Sequence, residues 1–200
     1  MLPEPLQVVR RLILVFDALE IPYLIGGSVA SSIVGVERAT QDIDFVVALE
    51  ERHIDALVIE LEIDFYADSD LIRAAMQQTS SANVIHLPTM VKADLFILPD
   101  TPFARSQMER RLQLPILGPD EPQVYITSSE DMILQKLLWY RFTGERSEKQ
   151  WSDVQGIFRI QAKSLNLAYL IRWADFLEIG DLLQRAGVDA GVEFTPRTGE

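Results

Sequence analysis

Asp42 and Asp44 stand two positions apart in the run Asp42-Ile43-Asp44-Phe45-Val46-Val47. The alternation of Ile43, Phe45 and Val47 with their neighbours spells a strand. In a strand, residues i and i+2 share a face at roughly 7 Å. Two carboxylates on one face of an apolar strand repel each other, which is costly unless a cation lies between them. Asp94 is a third acid inside an apolar run, Val91-Lys92-Ala93-Asp94-Leu95-Phe96-Ile97. One such acid would be read as a strand end facing water. Three, on neighbouring strands, point to a hard-oxygen site for Mg²⁺ or Mn²⁺, with Asp42, Asp44 and Asp94 as the metal ligands. Asp94 is also the candidate to help activate an attacking hydroxyl.

Fourteen residues before Asp42, the apolar run ending at Ile25 meets Gly26-Gly27-Ser28. Glycines let a phosphate approach the backbone, and the first amides of a following helix favour an anion. The Ser28 hydroxyl is a further donor to a phosphate oxygen. No Gly-Lys-Ser/Thr follows, so this is not a Walker loop. A phosphate cradle, a carboxylate pair and a third acid are the parts of metal-bridged phosphoryl or nucleotidyl transfer.

The elements that must hold these groups are legible in outline. Leu6, Val9, Leu12, Ile13 and Phe16 recur at helical spacing over residues 5–20, with Pro5 near the start. Residues 21–25 read as a buried strand, 28–34 as a short helix capped by Ser28 and ended by Gly35, and 43–47 as the acidic strand. Helices are expected over 50–61, 71–78 and 103–110, and antiparallel strands over 83–86 and 91–98. Short strands are expected over 113–117 and 124–126, around a Gly118-Pro119-Asp120 turn. From Ser128-Ser129-Glu130-Asp131, a capping-box-like start, the pattern turns helical: 128–142, 149–161, 165–176 and 178–186. The expected fold class is α/β (α+β), a small mixed sheet with flanking helices followed by a C-terminal helical part. The expected division is an α/β core over 1–126, a helical part over 128–190 packed on that core, and a frayed tail over 191–200.

Composition narrows the chemistry. The chain has 200 residues, 48% of them hydrophobic and 24% charged, which is globular composition. There is no cysteine and only two histidines, which excludes disulfides, thiol catalysis and thiolate or His-rich zinc sites. No apolar run reaches the ~20 residues that span a bilayer, and Met1 to Gln7 carries no basic n-region, so no membrane partner and a cytoplasmic location are expected. The net charge is −12, and residues 1–100 hold 6 basic against 16 acidic side chains. That balance excludes a protein that grips duplex DNA by many phosphate contacts.

The stretch GGSVASSIVGVERATQDIDFVV resembles the signature of the polymerase-β-like nucleotidyltransferase superfamily, over roughly residues 20–100. Gly26, Gly27, Ser28, Asp42, Asp44 and Asp94 fall on the positions of that signature. Arg38-Ala39-Thr40 before Asp42 looks like the lead-in found in minimal nucleotidyltransferases, including the AbiEii-type toxins of toxin–antitoxin systems. The helical half is similar to the AbiEii pattern too, with Asp131, where that family has Glu, followed by Lys136-Leu137 and then Asp153. The resemblance implies a metal-dependent enzyme that passes a nucleoside monophosphate from an NTP, ATP among the candidates, to an acceptor hydroxyl. Gly26, Gly27, Ser28, Arg38 and Lys136 would hold the triphosphate, Asp153 would support the site, and Lys136 joins the three aspartates as a catalytic candidate. The implied partners are the NTP, an acceptor that is a tRNA, a protein or a small molecule, and an antitoxin protein.

The remaining features read blandly. Trp139, Tyr140, Trp151 and Trp173 sit among leucines at helical spacing and are expected in the core, with Tyr140 or Trp139 as alternatives for stacking on a base. Arg141, Arg146 and Lys149 form a small basic run, read as a solvated loop or a nucleotide guide. His53 and His86 are assigned no role. Two other readings stay open: a catalytically idle protein of the same fold that binds nucleotide or protein, and an interaction protein that dimerises through its helical half.

Overall fold

The computed structural model describes residues 2–27, 29–30, 42–119 and 121–192. Of the helix expected over 28–34 only residues 29–30 are described; Ser28, residues 31–41 with Arg38 among them, Asp120 and the tail from residue 193 lie outside the described residues. Those up to residue 127 form one compact unit and those from 128 a second.

In the first unit the elements run α1 (Glu4–Ala18), β1 (Tyr23–Ile25), β2 (Asp42–Val47), α2 (Glu51–Leu61), β3 (Phe65–Tyr66), α3 (Ser69–Gln78), β4 (Ser81–His86), β5 (Lys92–Ile97), α4 (Pro102–Glu109), β6 (Leu112–Leu114) and β7 (Val124–Ile126). The strands form one seven-stranded mixed sheet in the order β3-β4-β5-β2-β1-β7-β6. β2 pairs with β5 in parallel and β1 with β7 in parallel, while the other neighbours are antiparallel. The strand period of two divides the central strands cleanly. Ile43, Phe45, Val47, Ala93, Leu95, Ile97, Ala82 and Val84 are buried, and Asp42, Asp44, Lys92, Asp94 and Asn83 take the opposite face.

Helix α1 buries Val8, Val9, Leu12, Ile13, Val15 and Phe16. The Phe16 ring lies 5.5 Å from Tyr23 and 5.3 Å from Phe45, so α1, β1 and β2 share one aromatic cluster. Each such buried side chain contributes roughly 1.5–3 kcal/mol. α2 carries a capping box in which the Glu50 amide donates to His53 Nδ1 at 3.0 Å, which gives His53 a structural task. His86 closes the β4–β5 turn, with Nδ1 2.8 Å from Thr89 Oγ1 and the Met90 amide donating to its carbonyl.

Two expectations need correction here. The strand expected over 113–117 is Leu112–Leu114, because Pro115 brings no amide to continue the pairing and a turn follows it. The two-residue strand Phe65–Tyr66, paired with Ile85 and His86, has no counterpart in the sequence reading.

The second unit is helical: α5 (Ser129–Phe142), α6 (Glu148–Gln161), α7 (Leu167–Phe176) and α8 (Gly180–Ala190). Ser128, Ser147 and Asn166 cap the first three with their side-chain oxygens. The first two turns of α5 are buried on nearly every side, through Met132, Ile133, Leu134 and Leu137 and through Glu130, Asp131 and Lys136. Of the four aromatics expected in the core, only Trp173 is buried. Trp139 is 47% exposed, because it lies about 200° round the helix from the buried Leu137. Tyr140 and Trp151 are half-buried, 4.9 Å apart, with the Arg185 guanidinium 4.4 Å from the Trp151 ring. Arg141, Arg146 and Lys149 are exposed, and Arg141 is held by Glu145 and Asp181 at 2.8 and 2.5 Å. Among the described residues, no helix is long and apolar enough to cross a membrane.

Candidate active site

The end of β1 and the middle of β2 are tied through the glycine turn. The Gly26 amide donates to the Asp44 carbonyl at 2.9 Å, and the Gly26 carbonyl accepts from the Ala30 amide at 3.2 Å. The chain therefore leaves the sheet at Gly26 and enters a helical turn at once. Gly27 has φ +57, and a Cβ there would sit 1.7 Å from Asp44 Oδ2. The Asp44 carboxylate occupies the space that any side chain at 27 would need. Gly27→Ala combines a left-handed φ with this clash. It is expected to cost about 2 kcal/mol in urea denaturation and to displace Asp44. A variant as stable as the wild type would show that the turn and the carboxylate are not so coupled.

The register of the parallel pair brings the acids together. Asp44 is the partner of Asp94, and Asp42 is the partner of Lys92. Neighbouring strands lie roughly 4.8 Å apart, so Asp44 and Asp94 are side by side on one face with Asp42 one pair along. Asn83 flanks Asp94 from β4. Asp94 is 16% exposed in its side chain. Lys92 Nζ lies 3.1 Å from Asp94 Oδ2 and 3.9 Å from Asp42 Oδ1. The hydrogen bond to Asp94 raises the Lys92 ammonium above the ordinary lysine value; partial desolvation opposes this, and the charges of Asp94, Asp42 and Asp44 add to it.

These groups suit a hard divalent cation in three respects. The donors are carboxylate oxygens. Asp94 Oδ1 is buried and makes no hydrogen bond among the described residues. The missing side chain at Gly27 leaves the space that the Asp44 carboxylate occupies. In their present positions the acids turn to Lys92 and to Gly27, and no three carboxylates or imidazoles among the described residues enclose a metal-sized space. Lys92 was not singled out from the sequence, although its place two residues before Asp94 on a strand was the signal for it.

In the second unit Lys136 and Asp153 are brought to each other. Nζ lies 2.6 Å from Asp153 Oδ2, and the two side chains are 9% and 8% exposed. Neither is the solvent-facing residue that a polar position on a helix suggests. Asp131 is fully buried and accepts from the Ser128 hydroxyl at 2.7 Å and the Tyr169 hydroxyl at 2.6 Å. Glu130 accepts from the Asn166 amide at 2.7 Å. Every acid at the start of α5 is thus met by a donor from the cap or from α7. Ser28 and Arg38, the remaining triphosphate candidates, lie outside the described residues.

No family model matches the chain, and no curated protein matches it by sequence. Among solved structures it is similar to an antigenic nucleotidyltransferase-like protein from Paracoccidioides brasiliensis, at 19% identity and TM-score 0.52 over 94% of each chain. It is also similar to ANT(2'')-Ia in complex with adenylyl-2''-tobramycin, at 13% identity and TM-score 0.50, over 93% of this chain and 99% of that one. At such identities the likeness is one of fold. The mixed sheet with its flanking helices is the nucleotidyltransferase fold.

Proposed function

We propose that this chain is a nucleotidyltransferase that uses a divalent cation, Mg²⁺ or Mn²⁺, to pass a nucleoside monophosphate from an NTP to an acceptor hydroxyl, breaking the bond between the α- and β-phosphates and releasing pyrophosphate. The observation that carries the reading is the junction of glycine turn and acids. Gly26 and Gly27 pack on Asp44, and Asp44 is in register with Asp94 on the adjoining parallel strand. The cation would be held by Asp42, Asp44 and Asp94, and its chemistry there is to neutralise triphosphate charge and make the attacking hydroxyl more acidic. The glycine turn presents backbone to the phosphates with no side chain in the way. Asp94 accepts the proton of the acceptor hydroxyl. Ser28 and Arg38 supply further donors to the triphosphate, and in the second unit Asp153 orients Lys136.

Among a tRNA end, a protein and a small molecule as acceptors, the net charge of −12 favours the last two, since it opposes a large polyphosphate backbone. The complex of ANT(2'')-Ia with an adenylylated aminoglycoside supports a polyhydroxylated cation as the first acceptor to try. The narrower form of the reading, a toxin held by an antitoxin, is supported by the Arg38-Ala39-Thr40 lead-in and the Lys136 and Asp153 positions.

The test is label transfer from each α-labelled NTP to tRNA, to cell protein and to small hydroxylated cations. Label is expected in one acceptor with Mg²⁺ and none after EDTA. No label with any acceptor, together with no heat of Mg-NTP binding, would overturn the reading.

A further inference from the structure

The face that carries Asp42, Asp44 and Asp94 also carries Lys92, and the register fixes it there. Lys92 is the cross-strand partner of Asp42 and stands two residues from Asp94 on the same face. Its ammonium is 3.1 Å from Asp94 Oδ2 and 3.9 Å from Asp42 Oδ1, so it lies between the two outer acids of the group. A half-exposed lysine on a flexible stem is free to turn to water. This one lies on the carboxylates, where it offsets one of three like charges on adjoining strands. The match is incomplete, since Asp94 Oδ1 is buried and has no hydrogen bond among the described residues.

Resting on the reading of these acids as cation ligands, we propose that Lys92 is a resident counter-ion of the site. Its ammonium holds Asp94 and Asp42 in the metal-free protein and leaves them when a divalent cation binds. Lys92 thereby sets the metal affinity: each binding event breaks the Lys92–Asp94 pair and brings a dication near an ammonium. It also keeps the acid face together until the metal arrives with substrate. Lys92 is a positioning residue in this account, acting through the carboxylates it holds.

The experiment is calorimetric titration with MnCl₂, beside thermal denaturation with and without MnCl₂, on wild type, Lys92→Met, Lys92→Gln and Lys92→Arg. Lys92→Met and Lys92→Gln are expected to melt lower than wild type without metal and to bind Mn²⁺ about tenfold more tightly, as expected for removing a unit charge a few ångströms from a dication. Their gain in melting temperature on adding Mn²⁺ is expected to exceed that of wild type. Lys92→Arg keeps the charge and is expected to bind no more tightly than wild type. A lysine with a merely structural task would lower the melting temperature and leave Mn²⁺ affinity unchanged, and that result overturns the proposal. If wild type and all variants fail to bind Mn²⁺, the reading of the acids as cation ligands falls first and the counter-ion role with it.

Discussion

Asp94→Asn is expected to reduce nucleotidyl transfer by a factor of about a thousand or more while leaving the fold intact. The substitution keeps shape and one acceptor oxygen but removes the charge that the cation and the acceptor proton both need. Stability is expected to change little. The variant loses the charge-assisted hydrogen bond to Lys92, and it also loses the repulsion between Asp94 and its register partner Asp44. The melting temperature should stay within about 3 °C of wild type. Transfer at the wild-type rate by a well-folded Asp94→Asn protein would remove Asp94 from the catalytic machinery.

The second large effect lies in the helical unit and is one of stability. Lys136→Ala takes the ammonium from a carboxylate that stays buried, at a cost of about 3–5 kcal/mol in urea denaturation. Against a total stability of roughly 5–15 kcal/mol, that is a large share. Lys136→Met combined with Asp153→Leu replaces the pair by apolar groups and is expected to recover most of the loss. The double variant also separates two tasks. If it folds well and no longer binds Mg-NTP, the lysine serves the triphosphate as well as the fold. If Lys136→Ala alone costs less than about 1 kcal/mol, the pair is solvated and the argument from burial fails.

The parts of this site with a strong local signal were readable in the chain. The period of two in Asp42–Val47 and Lys92–Ile97 gave both strands and placed three acids on their polar faces. Gly26-Gly27 marked the turn. The register was not readable, because a slip of one residue exchanges the faces and nothing local to either strand says which pairing is made. The pairing of Asp44 with Asp94, and with it the place of Lys92 beside Asp42, follows only from the assembled sheet. The helical unit was legible as helices but not as faces. In α5 apolar residues occur all round the first turns, so the pattern did not foretell that Lys136 goes inward and Trp139 outward. Phe65–Tyr66 is too short for any period to show.

The order and lengths of the strands bear on self-association. The six-residue strands β2, β4 and β5 are all interior to the sheet, and its margins are the two-residue β3 and the three-residue β6. A margin of two or three residues offers too few free amides and carbonyls to template a further strand from another copy. β5 is paired along both its sides, by β2 and by β4, while Ser81 to Val84 of β4 have no strand partner on their outer side among the described residues. The sheet thus ends in three residues on its β6 side, and on its β3 side leaves four residues of β4 as the stretch where another strand could add.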